Sequence, residues 1–326
     1  MTPGQLKTFI AVIESGSIKG AAASLFVSQA AVSSSLSTLQ EDLGVTLFDR
    51  EGRGLRRTPS AEVLYSYAKR ILGLLEEAEL ATIAESDPAT QILRIGAVTT
   101  AGEVLVPRWL RSYLVERPQM KVTLEVGNKE RVMDLLITHR VDLVVAGRPT
   151  RGEELASLAT RRHELVLVTA APELFPSHLE GTHNEIGDST TRRNVVATRD
   201  ELQGATWLLR EVGSGTRETA LELLAEMAIS PRTLTIGSNG AIIDAAEVGL
   251  GIALVSREAV SRQLKEGSLH AISCDPLPLV RNFHLIVRSA TSYPSAIGNF
   301  VGFLVSTNEV SLTPKFIPPG EAVREN

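Results

Sequence analysis

Three short segments carry hydroxyl and amide side chains beside glycine, each where a strand is expected to pass into a helix. They are Thr99-Thr100-Ala101-Gly102, Val212-Gly213-Ser214-Gly215-Thr216-Arg217 and Gly237-Ser238-Asn239-Gly240. The chemistry on offer is hydrogen-bond donation. Neutral hydroxyls and the free N–H groups of a first helical turn can hold a carboxylate, sulfate or phosphate without a dedicated cation. The middle segment is the sharpest, because two glycines free its backbone while Ser214 and Thr216 add donors. A well-capped helix with nothing bound is the plainer reading of such a segment, but the Thr99-Thr100 edge favours binding. Asn128 and Arg148, which follow Gly127 and Gly147 at two further strand ends, extend the set. Arg148 would neutralise an acid, or is an ordinary surface arginine.

Other chemistry is not spelled out. His178 and His183 lie in a polar insertion, residues 176–203, without the i, i+4 spacing of a helical zinc site, and read as solvated loop histidines. The single cysteine, Cys274, excludes an internal disulfide and a cysteine-cluster metal site. No Ser-His-Asp order, phosphate-loop motif or dinucleotide fingerprint is present. The expectation is therefore a chain that is not an enzyme and carries no metal or cofactor.

A second kind of surface lies near the N-terminus. Residues 17–43 read as two short helices joined by a tight turn, the first capped by Ser17 and the second by Ser28. Val32, Leu36, Leu39 and Leu43 recur at helical spacing as a buried stripe. The opposite face carries Ala30, Ser33, Ser34 and Ser37, where a solvent-facing helix would carry Lys and Glu. Small hydroxyl-bearing side chains can lie flush in a major groove and bond to bases or phosphates. A plain helical hairpin within a core is the competing reading. The sequence that follows decides against it. Residues 47–58 place a Gly52-Arg53-Gly54 tip between short apolar runs, a hairpin displaying Arg50, Arg53, Arg56 and Arg57. A basic hairpin after two such helices is a wing suited to phosphates and the minor groove. Thr2-Pro3-Gly4-Gln5 is a capping box with proline at the first helical position, opening a helix with Leu6, Phe9, Ile10 and Ile13 inward. The expected DNA contacts are Ser17, Lys19, Ser28, Gln29, Ala30, Ser33, Ser34, Ser37, Arg50, Arg53, Arg56 and Thr58.

Residues 5–72 resemble the N-terminal domain of the LysR-type transcriptional regulators. The strings that carry the resemblance are Leu6-Lys7-Thr8-Phe9, Gly16-Ser17, Ala21-Ala22, Val27-Ser28-Gln29, Ala31-Val32-Ser33, Leu43-Gly44 and Leu47-Phe48-Asp49-Arg50, in the family's order and spacing. Two positions depart: Ala30 stands where the family usually has proline, and Ser34 where it often has arginine or another long polar residue. The resemblance implies a winged helix-turn-helix, a linker helix pairing antiparallel between subunits, and an effector domain similar to periplasmic solute-binding proteins. It implies effector contacts at the strand ends named above. The strings at 213–217 and 237–242 look most like the branch governing carbon-fixation or sulfur-assimilation genes. It also implies RNA polymerase as a partner and, often, tetramers.

The elements that must position these groups can be read coarsely. Pro59 opens a long helix to about residue 86, in which Leu64, Ala68, Ile71, Leu75, Ala78 and Thr82 follow a heptad spacing. About three heptads need a partner, and we expect a second subunit on that seam rather than the chain's own second domain. From residue 91 strands and helices alternate as βαβαβ, and a similar set follows, so a parallel sheet with right-handed crossovers is expected. A two-lobed α/β module with a cleft results. The expected divisions are 1–58 for the winged helix-turn-helix, 59–88 for the linker helix and 89–306 for the effector domain. Lobe I would take 89–163 with 266–306, and lobe II 164–265. Residues 307–326 would be a flexible tail.

Length and composition agree with a soluble two-domain protein: 326 residues, 43% hydrophobic and 22% charged. No run approaches the ~18 apolar residues of a membrane span, and no export signal is read at the N-terminus, so the cytoplasm is expected. The net charge is −5, and residues 1–60 hold six basic side chains against five acidic ones. So weak an electrostatic binder must multiply its contacts, which points to a homodimer or homotetramer on an interrupted palindrome in double-stranded DNA. The function expected is a DNA-binding transcription regulator modulated by a small anionic metabolite. A solute-binding transport component, or a small-molecule enzyme on the α/β lobes, is the alternative.

Overall fold

A computed structural model describes residues 1–51, 54–86, 91–149, 155–175, 195–289 and 294–313. They form two compact units: residues 1–91 with 137–140, and residues 92–136 with the chain from 141 onward.

In the first unit, α1 (Pro3–Ser15) starts at the capping box, Thr2 accepting from the Gln5 N–H and the Gln5 side chain accepting from the Thr2 N–H. Ser17 caps α2 (Ile18–Leu25) and Ser28 caps α3 (Gln29–Leu43). Strands β1 (Phe48–Glu51) and β2 (Gly54–Arg57) pair antiparallel as the wing, and α4 (Pro59–Ser86) follows. Leu6, Phe9, Ile13, Val32, Leu36, Leu39 and Leu47 share one core with Ala61 and Ala68 of α4. Two expectations need correction. Leu43 does not complete the buried stripe of α3; it is 38% exposed. Gly44 turns the chain in a left-handed conformation there, and Leu47 fills the core instead. The heptad seam is also divided. Ala68 is buried, and Leu64 and Ile71 pack partly buried against the core of their own unit, whereas Leu75 and Ala78 are exposed. Beside the buried part of that seam, Val63, Tyr67 and Leu74 form an exposed stripe at i, i+4 and i+11, which the exposed seam residue Ala78 continues at i+15.

The turn between α2 and α3 is closed by Phe26 at φ 57°, ψ 40°, its N–H bonded to carbonyls at the end of α2. Glycine or asparagine usually takes this position, since left-handed backbone costs other residues about 1–2 kcal/mol.

The second unit is built on one mixed sheet. Lobe I contributes β3 (Ile92–Val98), β4 (Lys121–Gly127) and β5 (Leu143–Ala146), mutually parallel in the order β4-β3-β5. Lobe II contributes β8 (Trp207–Arg210), β9 (Thr233–Ile236) and β10 (Ile252–Ser256), also parallel. Between them run two long antiparallel strands, β6 (Leu155–Thr169) and β12 (Leu279–Arg288), with Leu279 opposite Leu165 and Arg288 opposite Leu155. The lobe boundary expected at residue 164 thus falls inside a strand, and the sheet is mixed rather than parallel. Lobe II also extends past residue 265: β11 (His270–Ser273) pairs with β6 and with β7 (Val195–Val196). Part of the expected insertion is therefore structure, since Val195, Ala197 and Leu202 are buried in the lobe II core and Arg199–Gly204 is helix α7. His178 and His183 lie outside the described residues. The expected tail begins as structure too: β13 (Ser311–Leu312) pairs with β6. Helices α5 (Val106–Glu116) and α11 (Ser295–Ser306) cover one face of lobe I, and α6 (Lys129–Ile137) the other. A π-helical turn, Ala101–Leu105, precedes α5. In lobe II, α8 (Gly215–Glu226) and α9 (Asn239–Glu247) take opposite faces. No helix among the described residues is long and apolar enough to cross a membrane.

Lobe I is locked by a buried ion pair. Arg94 of β3 meets Asp142, just before β5, through Nε at 3.0 Å and Nη2 at 2.5 Å, with the two side chains 10% and 8% exposed. Removing one partner strands a buried charge, which typically costs 3–5 kcal/mol. Asp142→Ala should therefore destabilise the second unit by about 3 kcal/mol in urea unfolding; a change below about 1 kcal/mol would show that the pair is not a lock.

Candidate functional site

The carboxyl ends of β3, β4, β5 and β8 all open onto one cavity of about 370 Å³. That is where the rule for open α/β sheets places ligands. Lobe I supplies Thr99 and Thr100 after β3, Asn128 and Lys129 after β4, and Arg148 after β5. Lobe II supplies Ser214, Gly215 and Thr216 at the start of α8. Thr100 and Ser214 are 7% and 5% exposed, and neither hydroxyl has a hydrogen-bond partner among the described residues. Ser214 occupies the N-cap position of α8 without capping it. The first intrahelical bond is made by the Glu218 N–H to the Ser214 carbonyl, so the N–H groups of Gly215, Thr216 and Arg217 precede it. Gly213 permits the approach. Its φ is +84°, and a Cβ there would stand 2.9 Å from Nδ2 of Asn128.

Three expected contacts fall elsewhere. Ala101 is fully buried in the lobe I core, directly behind Thr100. Ser238 is exposed and spends its hydroxyl on capping α9. Asn239 serves a latch between the lobes. Its Oδ1 accepts from Arg210 Nη1 at 3.3 Å and its Nδ2 donates to Glu103 Oε2 at 3.1 Å. Arg210, 2% exposed, also donates to Thr99 Oγ1 at 3.1 Å and pairs with Glu211. Burial of this guanidinium is tolerable because each of its three nitrogens has an acceptor.

Sequence reasoning missed the wall of the cavity formed by β6 and β12. His163 lies flat on Phe283, ring centroids 3.8 Å apart and planes at 8°. Burial, with Arg281 and Arg161 nearby, lowers its pKa to about 4, so the ring is neutral at pH 7. His284 bonds to Ser157 at 2.9 Å and is likewise pushed down, by burial and then by Arg148. Of the cations that line the cavity, Lys129 is 4.0 Å from Glu218 and Arg281 is 3.6 Å from Glu222. Arg148 has no ion-pair partner among the described residues.

In the first unit Gln29, Ala30, Ser34 and Ser37 of α3 are exposed and Ser33 is half-buried; Lys19 is exposed as well. The hydroxyls of Ser17 and Ser28 cap their helices. Thr58 differs from expectation: its hydroxyl donates to the carbonyls of Thr46 and Leu47 and accepts from the Ala61 N–H, so it is committed to the scaffold. Arg56 pairs across the wing with Asp49 at 3.1 Å. Arg57, expected on display, donates to the Ile13 carbonyl at 2.7 Å. Arg50 lies in β1, and Arg53 falls outside the described residues.

Two family models match, "Bacterial regulatory helix-turn-helix protein, lysR family" over residues 3–62 and "LysR substrate binding domain" over residues 86–309. The chain is 34% identical over 311 residues to the uncharacterized regulator YeiE of Escherichia coli K12, covering 94% of this chain and 98% of that one. It is 30% identical to CbbR of Rhodospirillum rubrum, covering 92% and 94%, and 29% identical to CysL of Bacillus subtilis, covering 86% and 89%. Among solved structures, full-length CbnR with its target DNA matches at a TM-score of 0.65, with 21% identity and coverage of 94% and 100%. The regulatory domain of Synechocystis CcmR in complex with 2-PG matches at 0.55, with 24% identity, covering 66% of this chain and 96% of that one. The chain belongs to the LysR family. It is a transcriptional regulator with a DNA-binding helix-turn-helix domain and an effector-binding domain.

The low pKa of His163 makes stability depend on pH. The unfolded ring binds a proton near pH 6.5 and the folded one only near pH 4, so stability is full above 6.5 and is lost as pH falls toward 4. Between pH 7 and pH 5 the loss from this group should be about 2 kcal/mol. His163→Phe, which keeps a ring on Phe283, should flatten that part of the unfolding profile; an unchanged slope would assign the pH dependence to other groups.

Proposed function

We propose that this regulator is switched by a small anionic metabolite held in the effector-domain cavity and reads DNA through the exposed face of α3. One observation carries the first half. Thr100 and Ser214, both largely buried residues that line the cavity from opposite lobes, bring to it two hydroxyls without a hydrogen-bond partner among the described residues. Ser214 stands at a helix N-terminus that its side chain does not cap. Thr99, Asn128, Gly215 and Thr216 add donors there, and Arg148 adds charge. The CcmR domain, a neighbour of the same fold, is in complex with 2-PG. A ligand touching both lobes favours one inter-lobe angle, and a differential affinity of about 1.4 kcal/mol shifts such an equilibrium tenfold.

On DNA, Gln29, Ala30, Ser33, Ser34 and Ser37 would meet bases or adjacent phosphates, while Ser17, Lys19, Ser28 and the wing arginines 50, 53 and 56 would meet the backbone. Thr58 leaves this set because its hydroxyl is spent. The protein acts as a homodimer or homotetramer on half-sites about one helical turn apart, in the cytoplasm and with RNA polymerase as partner. The exposed stripe of Val63, Tyr67, Leu74 and Ala78 supports a second copy on α4.

A thermal-shift series with inorganic phosphate, sulfate and small mono- and dicarboxylates tests the ligand class. For whichever anion raises the melting temperature, Thr100→Val and Ser214→Ala should each weaken binding by about 1.5–3 kcal/mol, the worth of a hydrogen bond to a charged group, with DNA affinity unchanged. Variants that respond like the parent would place the sensing site elsewhere. Leu74→Asp should lower the oligomeric state in sedimentation at micromolar concentration; an unaltered oligomer would rule out the α4 stripe as the interface.

A further inference from the structure

Phe26 breaks two local rules at once, and nothing among the described residues of its own unit compensates. Its ring is 94% exposed, whereas Phe9 is fully buried and Phe48 packs against the same core. Its backbone is left-handed, at φ 57°, in the position that closes α2 and is normally given to glycine or asparagine. A ring that contributes no packing, on a backbone that disfavours it, is a conflict of the kind that gathers at functional positions.

The position says what the ring meets. Phe26 stands in the turn just ahead of Ser28 and Gln29, the cap and first residue of α3, and Val27 beside it is 47% exposed. In helix-turn-helix proteins the N-terminal residues of the reading helix contact base edges, so this turn comes close to the duplex. The ring is separate in sequence from the exposed apolar stripe of α4. The reading face is short-chained and nearly neutral, so contacts that need no charge matter more to it.

We propose that Phe26 is an apolar DNA contact, its ring packing against a thymine methyl group or a deoxyribose at the edge of the groove that α3 enters. The inference rests on α3 being the reading helix. The contact supplies affinity without releasing counterions, and at a thymine it also supplies sequence preference.

The test uses the full-length protein and a duplex that it selects from a randomised pool. Phe26→Asn keeps the left-handed turn, so the variant should melt at the same or a higher temperature than the parent. It should nevertheless bind the selected duplex about tenfold more weakly, with an unchanged slope of affinity against salt, because no ionic contact is lost. Replacing thymines one at a time by deoxyuridine separates the two sources. Loss at one position in the parent, absent in Phe26→Asn, assigns the thymine methyl, and no loss at any position assigns deoxyribose. Undiminished affinity of Phe26→Asn, while Gln29→Ala binds more weakly, overturns the inference and leaves α3 as reader. Undiminished affinity of both variants overturns the reading-helix assignment itself. A changed oligomeric state in Phe26→Asn would make the ring a protein contact and also overturn the inference.

Discussion

The antiparallel ribbon of β6 and β12 is the constraint on which the effector-binding unit depends. It takes part in both halves of the sheet: β12 pairs with β5 on one side and β6 with β10 on the other. Each lobe therefore shares its hydrogen-bonded backbone with the other. Residues on the ribbon between these pairings, His163 and Phe283 among them, wall the cavity and hold two aromatic planes at a fixed distance. Away from the ribbon the lobes meet through side chains, and Arg210 holds that meeting by bonding Thr99 in one lobe and Asn239 and Glu211 in its own. One side of the cavity is thus covalent and continuous, and the other is polar and separable. An inter-lobe angle can change in such a frame without breaking a strand.

The cavity's polarity suits that purpose. Two of its three cations face carboxylates, Lys129 with Glu218 and Arg281 with Glu222. Of the two histidines on the ribbon, His163 is neutral at pH 7, and burial lowers the pKa of His284 as well. Apart from Arg148, the donors left to a ligand include hydroxyls and backbone N–H groups, oriented groups whose strength depends on geometry. Donors drawn from both lobes align only over a narrow range of lobe angles, whereas a bare charge would attract from any direction. Differential binding to two conformations is what a switch requires, and tight binding to both would shift nothing. Thr99 belongs to both features, since its hydroxyl accepts from the buried Arg210 while its residue lines the cavity.

Much of this was legible in the sequence because the signals are local. The capping box at Thr2, the caps at Ser17 and Ser28 and the three-four spacing of α3 each involve residues within a turn or two, and each element begins where those residues put it. The glycine- and hydroxyl-rich strand ends were legible for the same reason. The ribbon was not. Residues 160–164 read Thr-Arg-Arg-His-Glu and residues 280–282 Val-Arg-Asn, neither of which alternates like a half-buried strand. Their side chains are polar because His163, Arg281 and Asn282 line the cavity while Arg161 and Glu164 form ion pairs. They are strands because the two segments pair with each other. Asn239 went astray similarly: its local context matches an anion edge, but Arg210 and Glu103 reach it first.

The linker helix marks a different limit. Two apolar stripes lie side by side on α4, and periodicity alone makes both look like seams. Ala68, with Leu64 and Ile71, is taken up by the core of its own unit, because α1 and α4 must close over the same apolar residues. The stripe left exposed is the one that begins with Val63 and Tyr67. The apolar residues that pack on α1 and those that stay exposed begin on adjacent faces of the same helix. Heptad spacing reports that a face is buried; which body buries it depends on packing that only the folded unit supplies.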